Sequence, residues 1–266
     1  MRVPRALARA MARAKPAIPE GLWPVLLTAR SVIGDGPLVG LPAFRRVVVL
    51  SAHPDDESLG CGGTMALLAD AGAEVSLVIA TDGEATRGSA LPGDETGRLR
   101  REEAERAGRI LGARTRLLGH PDGALAGRVD HLARDLASVL DELRPEALFL
   151  PWFLDGHPDH QALSDALALV PSLPDALEVW GYETWTALVP NRVVDITSVI
   201  DRKREALAAH ETAALAFDLS AGLGLSRWRS VHGLLGRGHG EAFLALPVAR
   251  YLALTAAART GVRPEW

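Results

Sequence analysis

Residues 46 to 195 predict an α/β fold on a mostly parallel sheet, for three reasons. Short apolar runs alternate with amphipathic stretches of helical period, the pattern of strand–helix–strand units. The runs are rich in Val, Ile and Leu without polar alternation, as strands covered on both faces are. The runs ending near residues 51, 81 and 150 each lead into a polar segment bearing histidines or acids. Open parallel sheets bind ligands at those strand ends.

Val47-Val48-Val49-Leu50 is the first strand, ending at Ser51-Ala52-His53, with a helix from about Gly63 to Ala71. Val75 to Ala80 is the second, ending at Thr81-Asp82-Gly83. A charged amphipathic helix covers about Arg98 to Leu111, preceded by Ser89 to Gly97, a loop suited to a substrate through Pro92, Gly93 and Gly97. Arg116-Leu117-Leu118 is a short strand, and residues 130 to 143 form a helix stopped by Pro145. Ala147 to Leu150 is a buried strand, followed by a loop and a helix beginning near His160. Glu178 to Tyr182 and Arg192 to Asp195 are later strands.

Residues 16 to 44 are rich in Pro and Gly and read as a lead-in packing on the domain. The chain therefore divides into a lead-in, 1–45, and one domain, 46–266. Arg2, Arg5, Arg9 and Arg13 fall at helical spacing opposite Val3, Leu7 and Met11. A solvated helical face is expected there, with a membrane-surface helix as the alternative that is not favoured.

A chain of 266 residues, 48% apolar and 23% charged, has the composition of one soluble domain with a sizeable core. A net charge of −4, with two lysines among 29 basic residues, argues against a nucleic-acid partner. Cys61 is the one cysteine, which excludes an internal disulfide and fits a cytoplasmic protein. In the turn Gly60-Cys61-Gly62-Gly63 it reads as a small buried apolar residue rather than a nucleophile. No run approaches the roughly 18 apolar residues of a spanning helix.

The chemistry is concentrated in His53-Pro54-Asp55-Asp56-Glu57 and His157-Pro158-Asp159-His160. Two histidines and one carboxylate with an open position form a catalytic zinc set, and the same set also takes iron. His53 and Asp56 are three apart, so a turn can aim both at one point. Asp55 then projects elsewhere, free to serve as a base. Either His157 or His160 can complete the set. Singly, each residue has a blander reading: a core histidine bonded to backbone, a solvated acidic turn, an N-cap. The pairing of two such segments at strand ends is what points to a site. The nucleophile elbow, the H-E-x-x-H helix and the phosphate loop are all missing from the sequence.

These residues also resemble a known family. Ala52-His53-Pro54-Asp55-Asp56-Glu57 with Gly60-x-Gly62-Gly63, then His157-Pro158-Asp159-His160, is similar to the LmbE-like (PIG-L) deacetylases. Thr81-Asp82-Gly83-Glu84, Arg101-Glu102, Pro121-Asp122-Gly123 and Val194-Asp195-Ile196 add to the likeness, which leaves the first 45 residues uncovered. The resemblance implies a Rossmann-like three-layer fold and one zinc held by His53, Asp56 and His160. It implies Asp55 as general base and His157 as oxyanion stabiliser, either of them able to protonate the leaving amine. It also implies Asp159 orienting an imidazole, and Arg87 and Asp122 on the sugar. The implied reaction removes an N-acyl group, typically acetyl, from an N-acetylglucosamine-type amino-sugar on a small-molecule or glycolipid scaffold. An amidase of a sugar-thiol conjugate shares every catalytic residue, and a non-catalytic sugar-binding module is the alternative of another class. Trp185, Trp228, His232 and His239 read as packing or surface residues, with sugar contact as the alternative.

Overall fold

The structure, a computed structural model, describes residues 38–259, so the basic face from Arg2 to Arg13 lies outside the described residues. β1 (Leu38–Val39) is a two-residue edge strand. β2 (Arg46–Ser51), α1 (Asp56–Gly60), α2 (Gly62–Asp70), β3 (Glu74–Thr81), α3 (Gly93–Leu111) and β4 (Ala113–His120) follow. Next come α4 (Val129–Leu143), β5 (Ala147–Pro151), α5 (Pro158–Ala168), β6 (Glu178–Tyr182) and β7 (Arg192–Asp195). The last elements are α6 (Ile200–Ala208), α7 (Ala221–Arg229), β8 (Gly240–Pro247) and α8 (Val248–Arg259).

Among the described residues, eight strands make one sheet in the order β1-β7-β8-β6-β5-β2-β3-β4. Neighbours are parallel except where β8 runs against β6 and β7. Alternate residues of β2 serve opposite faces. Val48 and Leu50 pack with Leu132 and Leu136 of α4, Leu163 of α5 and Tyr251 of α8. Val47 and Val49 pack with Met65 of α2, Ala107 of α3 and Ala206 of α6. The result is a helix–sheet–helix sandwich, and it explains why the strands lack polar alternation.

Two departures from the sequence pattern have simple causes. Ser89 to Gly97 is not all loop, because α3 begins at Gly93. Asp94 and Glu95 lie in its first turn, where the helix dipole favours negative charge, and this outweighs Gly93 and Gly97. β4 is longer than its apolar centre because an edge strand tolerates the exposed Arg114 and Arg116. β1 brings Leu38 and Val39, in the expected lead-in, into the sheet beside β7. β8 and α8 have no counterpart among the predicted elements. No helix of the described residues is long and apolar enough to cross a membrane.

β2 lies between β3 and β5. The chain steps outward from β2 through β3 to β4, then crosses back to β5 and continues to β6. That reversal opens a crevice between the carboxyl ends of β2 and β5. Both histidine segments leave the sheet there.

Candidate metal and catalytic centre

The turn after β2 is built around two carboxylates. Asp56 Oδ2 accepts the N–H groups of Ala52 at 3.1 Å and His53 at 2.8 Å, which fixes the orientation of its side chain. Asp55 sits at φ 120°, a backbone conformation L residues rarely adopt and one that surrounding structure must enforce. Glu57 Oε2 accepts the Asp55 N–H at 3.2 Å. Arg100 of α3 donates to Pro54 O and, at 3.0 Å, to Asp55 Oδ2. Glu57 is itself fully buried and accepts from Ser58 at 2.8 Å and His210 Nε2 at 3.2 Å. Gly60 closes α1 where a Cβ would stand 2.2 Å from the Tyr182 ring, so only glycine lets α1 approach β6 this closely.

The turn after β5 is built around Asp155. Its Oδ1 accepts His157 N–H at 3.0 Å and His160 Nδ1–H at 2.9 Å, while Oδ2 accepts Trp185 N–H at 3.0 Å and Thr186 N–H at 3.2 Å. His157 caps α5, its Nδ1 accepting the Asp159 N–H at 3.2 Å, ahead of Pro158 in the first turn. Because Nδ1 accepts, the neutral ring carries its proton on Nε2.

The two turns meet. Asp56 Oδ2 lies 3.5 Å from His53 Nδ1 and Asp56 Oδ1 lies 3.1 Å from His160 Nε2. The His53 and His157 rings are 4.8 Å apart, centroid to centroid, and His157 and His160 4.9 Å. On the far edge of His53, Nε2 is 3.1 Å from Asp122 Oδ1 and 3.3 Å from Asp159 Oδ2. Asp159 is held by the Gly123 and Leu125 N–H groups, at 2.8 and 3.1 Å. Asp122 Oδ2 accepts the Ala85 N–H at 3.1 Å, so both Asp122 oxygens have protein partners.

The donor set suits a divalent cation. His53, His157 and His160, and separately His53, Asp122 and Asp159, bring ligand atoms within 4.8 Å of one another. His160 gives its Nδ1 proton to Asp155, so its buried Nε2 is left facing Asp56 without a hydrogen-bond partner among the described residues. A lone pair turned on a carboxylate needs positive charge between them. The electrostatics agree. Burial pulls His160 down, but Asp56 and Asp155 outweigh it and carry its pKa to about 9. Burial likewise opposes charge on His53, yet Asp122, Asp159 and Asp56 raise it well above its ordinary value. The site thus holds excess negative charge, which imidazolium protons or a metal can balance.

Asp55 is different. Burial pushes its pKa to about 6 although Arg100 pulls it down. His157 is held below its ordinary value by burial and by the neighbouring His53 and His160. His53, Asp55, Asp56, Arg87, Asp122 and His157 all line one cavity of about 830 Å³. His160 and Asp159 stand behind it, fully buried. Arg87 is exposed and makes no ion pair among the described residues. Trp185 also lines the cavity, whereas Trp228, His232 and His239 do not.

Arg100, Asp155 and His210 carry this geometry without having been singled out by the sequence, and Glu57, quoted within the first histidine segment, had no role assigned. Arg100 left a signal: it is in helical register with Ala104, Ala107 and Leu111, so an arginine occupies the buried stripe of α3. His210, in the loop after α6, left none. Arg100→Ala is expected to lower kcat about 10²-fold, since misplacing a reacting group by an ångström costs that much, with bound metal unchanged. Steady-state kinetics beside metal analysis checks both halves.

Comparison with known proteins gives a consistent picture. The GlcNAc-PI de-N-acetylase (PIG-L) family pattern matches residues 48–170. The 1D-myo-inositol 2-acetamido-2-deoxy-alpha-D-glucopyranoside deacetylase of Nakamurella multipartita is 32% identical, the alignment covering 83% of this chain and 92% of the relative. The diacetylchitobiose deacetylase of Thermococcus kodakarensis is 30% identical over 63% of this chain and 70% of its own. Among solved structures, the N,N'-diacetylchitobiose deacetylase of Pyrococcus horikoshii superposes with a TM-score of 0.64 at 27% identity, covering 78% of this chain and 86% of that one. The matched span carries both strand-end histidine segments, and the alignment to a named deacetylase runs nearly its whole length: the chain belongs to the PIG-L family of GlcNAc de-N-acetylases.

Proposed function

We propose that this protein is a zinc-dependent deacetylase that hydrolyses the N-acetyl amide of an N-acetylglucosamine unit carried by a small molecule. The observation that carries the reading is the meeting of His53, Asp56 and His160 at 3.1 to 3.5 Å with Asp55 lining the same cavity. His53, Asp56 and His160 hold the metal. Zinc, when bound, supplies Lewis acidity that lowers the pKa of a ligated water to about 7 and offsets charge on the acyl oxygen.

This chain's own residues do the rest. Asp55 takes one proton from the attacking water as its oxygen bonds to the acyl carbon. His157 presents its Nε2–H to the acyl oxygen, where negative charge gathers. As the C–N bond breaks, Asp55 returns its proton to the leaving nitrogen, giving a free amine and acetic acid, which loses water's second proton to become acetate. Two features favour Asp55 over His157 as that donor: its raised pKa, and the commitment of His157 Nδ1 to Asp159 N–H, which disfavours an imidazolium. Arg87, at the cavity edge, contacts the sugar.

The base must be ionised to act. Burial lifts Asp55 to about 6, so kcat/KM is expected to fall as pH drops through about 6 instead of near 4, where an ordinary aspartate titrates. A pH–rate profile checks it, and Arg100→Met moves the acid limb upward by removing the charge that favours the carboxylate. The reaction is tested by incubating zinc-loaded protein with N-acetylglucosamine, N,N'-diacetylchitobiose and inositol-linked N-acetylglucosamine, following acetate and free amine. Acetate from one or more is expected. None from any, with the metal bound, would overturn the reading.

A further inference from the structure

Trp185 stands on the wall of the same cavity, and the hydrolytic residues leave it without a task. It is 56% exposed, yet it is not a stray surface residue. Its ring packs on Phe217, 5.0 Å between centroids at 52°, and both line the cavity that reaches His53 and Asp55. Its backbone is tied to the reacting centre. Trp185 N–H donates to Asp155 Oδ2 at 3.0 Å, and the other oxygen of that buried carboxylate holds His160 Nδ1 at 2.9 Å. Thr186 tightens the tie: its N–H donates to the same Oδ2 at 3.2 Å, and its Oγ1 accepts the Gly156 N–H at 2.8 Å. One carboxylate therefore sets the aromatic wall and a proposed metal ligand in fixed relation. Packing alone asks for no such registration.

Polar side chains, Arg87, Thr86 and Thr186 among them, line the cavity together with Ala85, Ala213 and Ala216, and its volume of about 830 Å³ exceeds what a single pyranose fills. An aromatic face with two hydroxyls and a guanidinium on the same lining suits a ring with an apolar C–H face and hydroxyl edges. We infer that Trp185, backed by Phe217, is a stacking platform for a second polyhydroxylated ring joined to the N-acetylated one, which makes Trp185 a specificity-determining residue. The inference rests on the deacetylase reading for the place of the first ring.

Calorimetric titration of the zinc-loaded Asp55→Asn protein, which binds without turning over, separates the two claims. N,N'-diacetylchitobiose is expected to bind about tenfold tighter than N-acetylglucosamine, the scale of one aromatic stacking contact. Trp185→Ala in that background removes most of the difference, Trp185→Phe retains it, and Trp228→Ala, away from the cavity, leaves it intact. Equal binding of the two sugars overturns the inference, as does a disaccharide preference that survives Trp185→Ala. Tighter binding of octyl N-acetylglucosaminide than of the disaccharide, lost with Trp185→Ala, overturns it in favour of an alkyl occupant. If the disaccharide preference is present and depends on Trp185 but the unmutated protein releases no acetate, the platform stands and the deacetylase reading falls.

Discussion

Asp55→Asn is expected to lower kcat by about 10³-fold, within the range a general acid–base residue supplies, while the protein keeps its metal. The two halves follow from different atoms. Asp55 shares the turn with Asp56 but not its direction: Asp56 faces His53 and His160, while Asp55 Oδ2 pairs with Arg100 at 3.0 Å. Asparagine preserves the shape and the acceptor oxygen for Arg100, so the φ of 120° and the Glu57 support remain in place. What it loses is the ability to take a proton. Turnover near the unmutated value would remove Asp55 from the base role. Loss of metal along with activity would place Asp55 among the ligands instead. Metal analysis on the purified variant distinguishes these outcomes.

His160→Ala is expected to weaken metal binding by more than about 100-fold, beyond the 10–100-fold typical of partners that only orient a ligand. Asp155→Asn, which alters such a partner, should fall within that lesser range. The order follows from position. His160 is fully buried between Asp56 Oδ1 at 3.1 Å and Asp155 Oδ1 at 2.9 Å, whereas Asp155 would reach the proposed metal only through that ring. Deleting the imidazole also leaves a cavity in place of a fully buried side chain and removes its hydrogen bond to Asp155. The variant should therefore unfold at lower denaturant, and metal content must be measured on its folded fraction. Equal affinity in His160→Ala and the parent would take His160 out of the metal site.

Much of the architecture was legible because one signal repeats. Val47 to Leu50, Val75 to Ala80 and Ala147 to Leu150 are apolar without alternation, and each is a central strand between two helical layers. The strand ends then locate the crevice, and His53, Asp56, His157 and His160 converge there. What stayed hidden depends on distant partners. Asp122 illustrates this: it lines the cavity, where the family likeness expects a sugar contact, and its oxygens also lie on His53 Nε2 and Ala85 N–H, partners the sequence does not announce. Arg100, forty-five positions from Asp55, meets it only because α3 packs beside the β2 turn. His210 reaches Glu57 across 153 positions and has no periodic context to announce it. β8 eluded prediction for another reason. Gly240-Glu241-Ala242 opens it with a glycine and a buried glutamate, neither a strand former, and Glu241 is neutralised by Lys203 at 2.6 Å.

The most direct test of the whole account is acetate release titrated against zinc, starting from chelator-stripped protein and an accepted N-acetylglucosaminide. One cation held by His53, Asp56 and His160 beside Asp55 predicts no release at the start, a linear rise, and a break at about one zinc per chain. Release that is already full in the stripped protein, or that ignores added zinc while the metal binds, would contradict it.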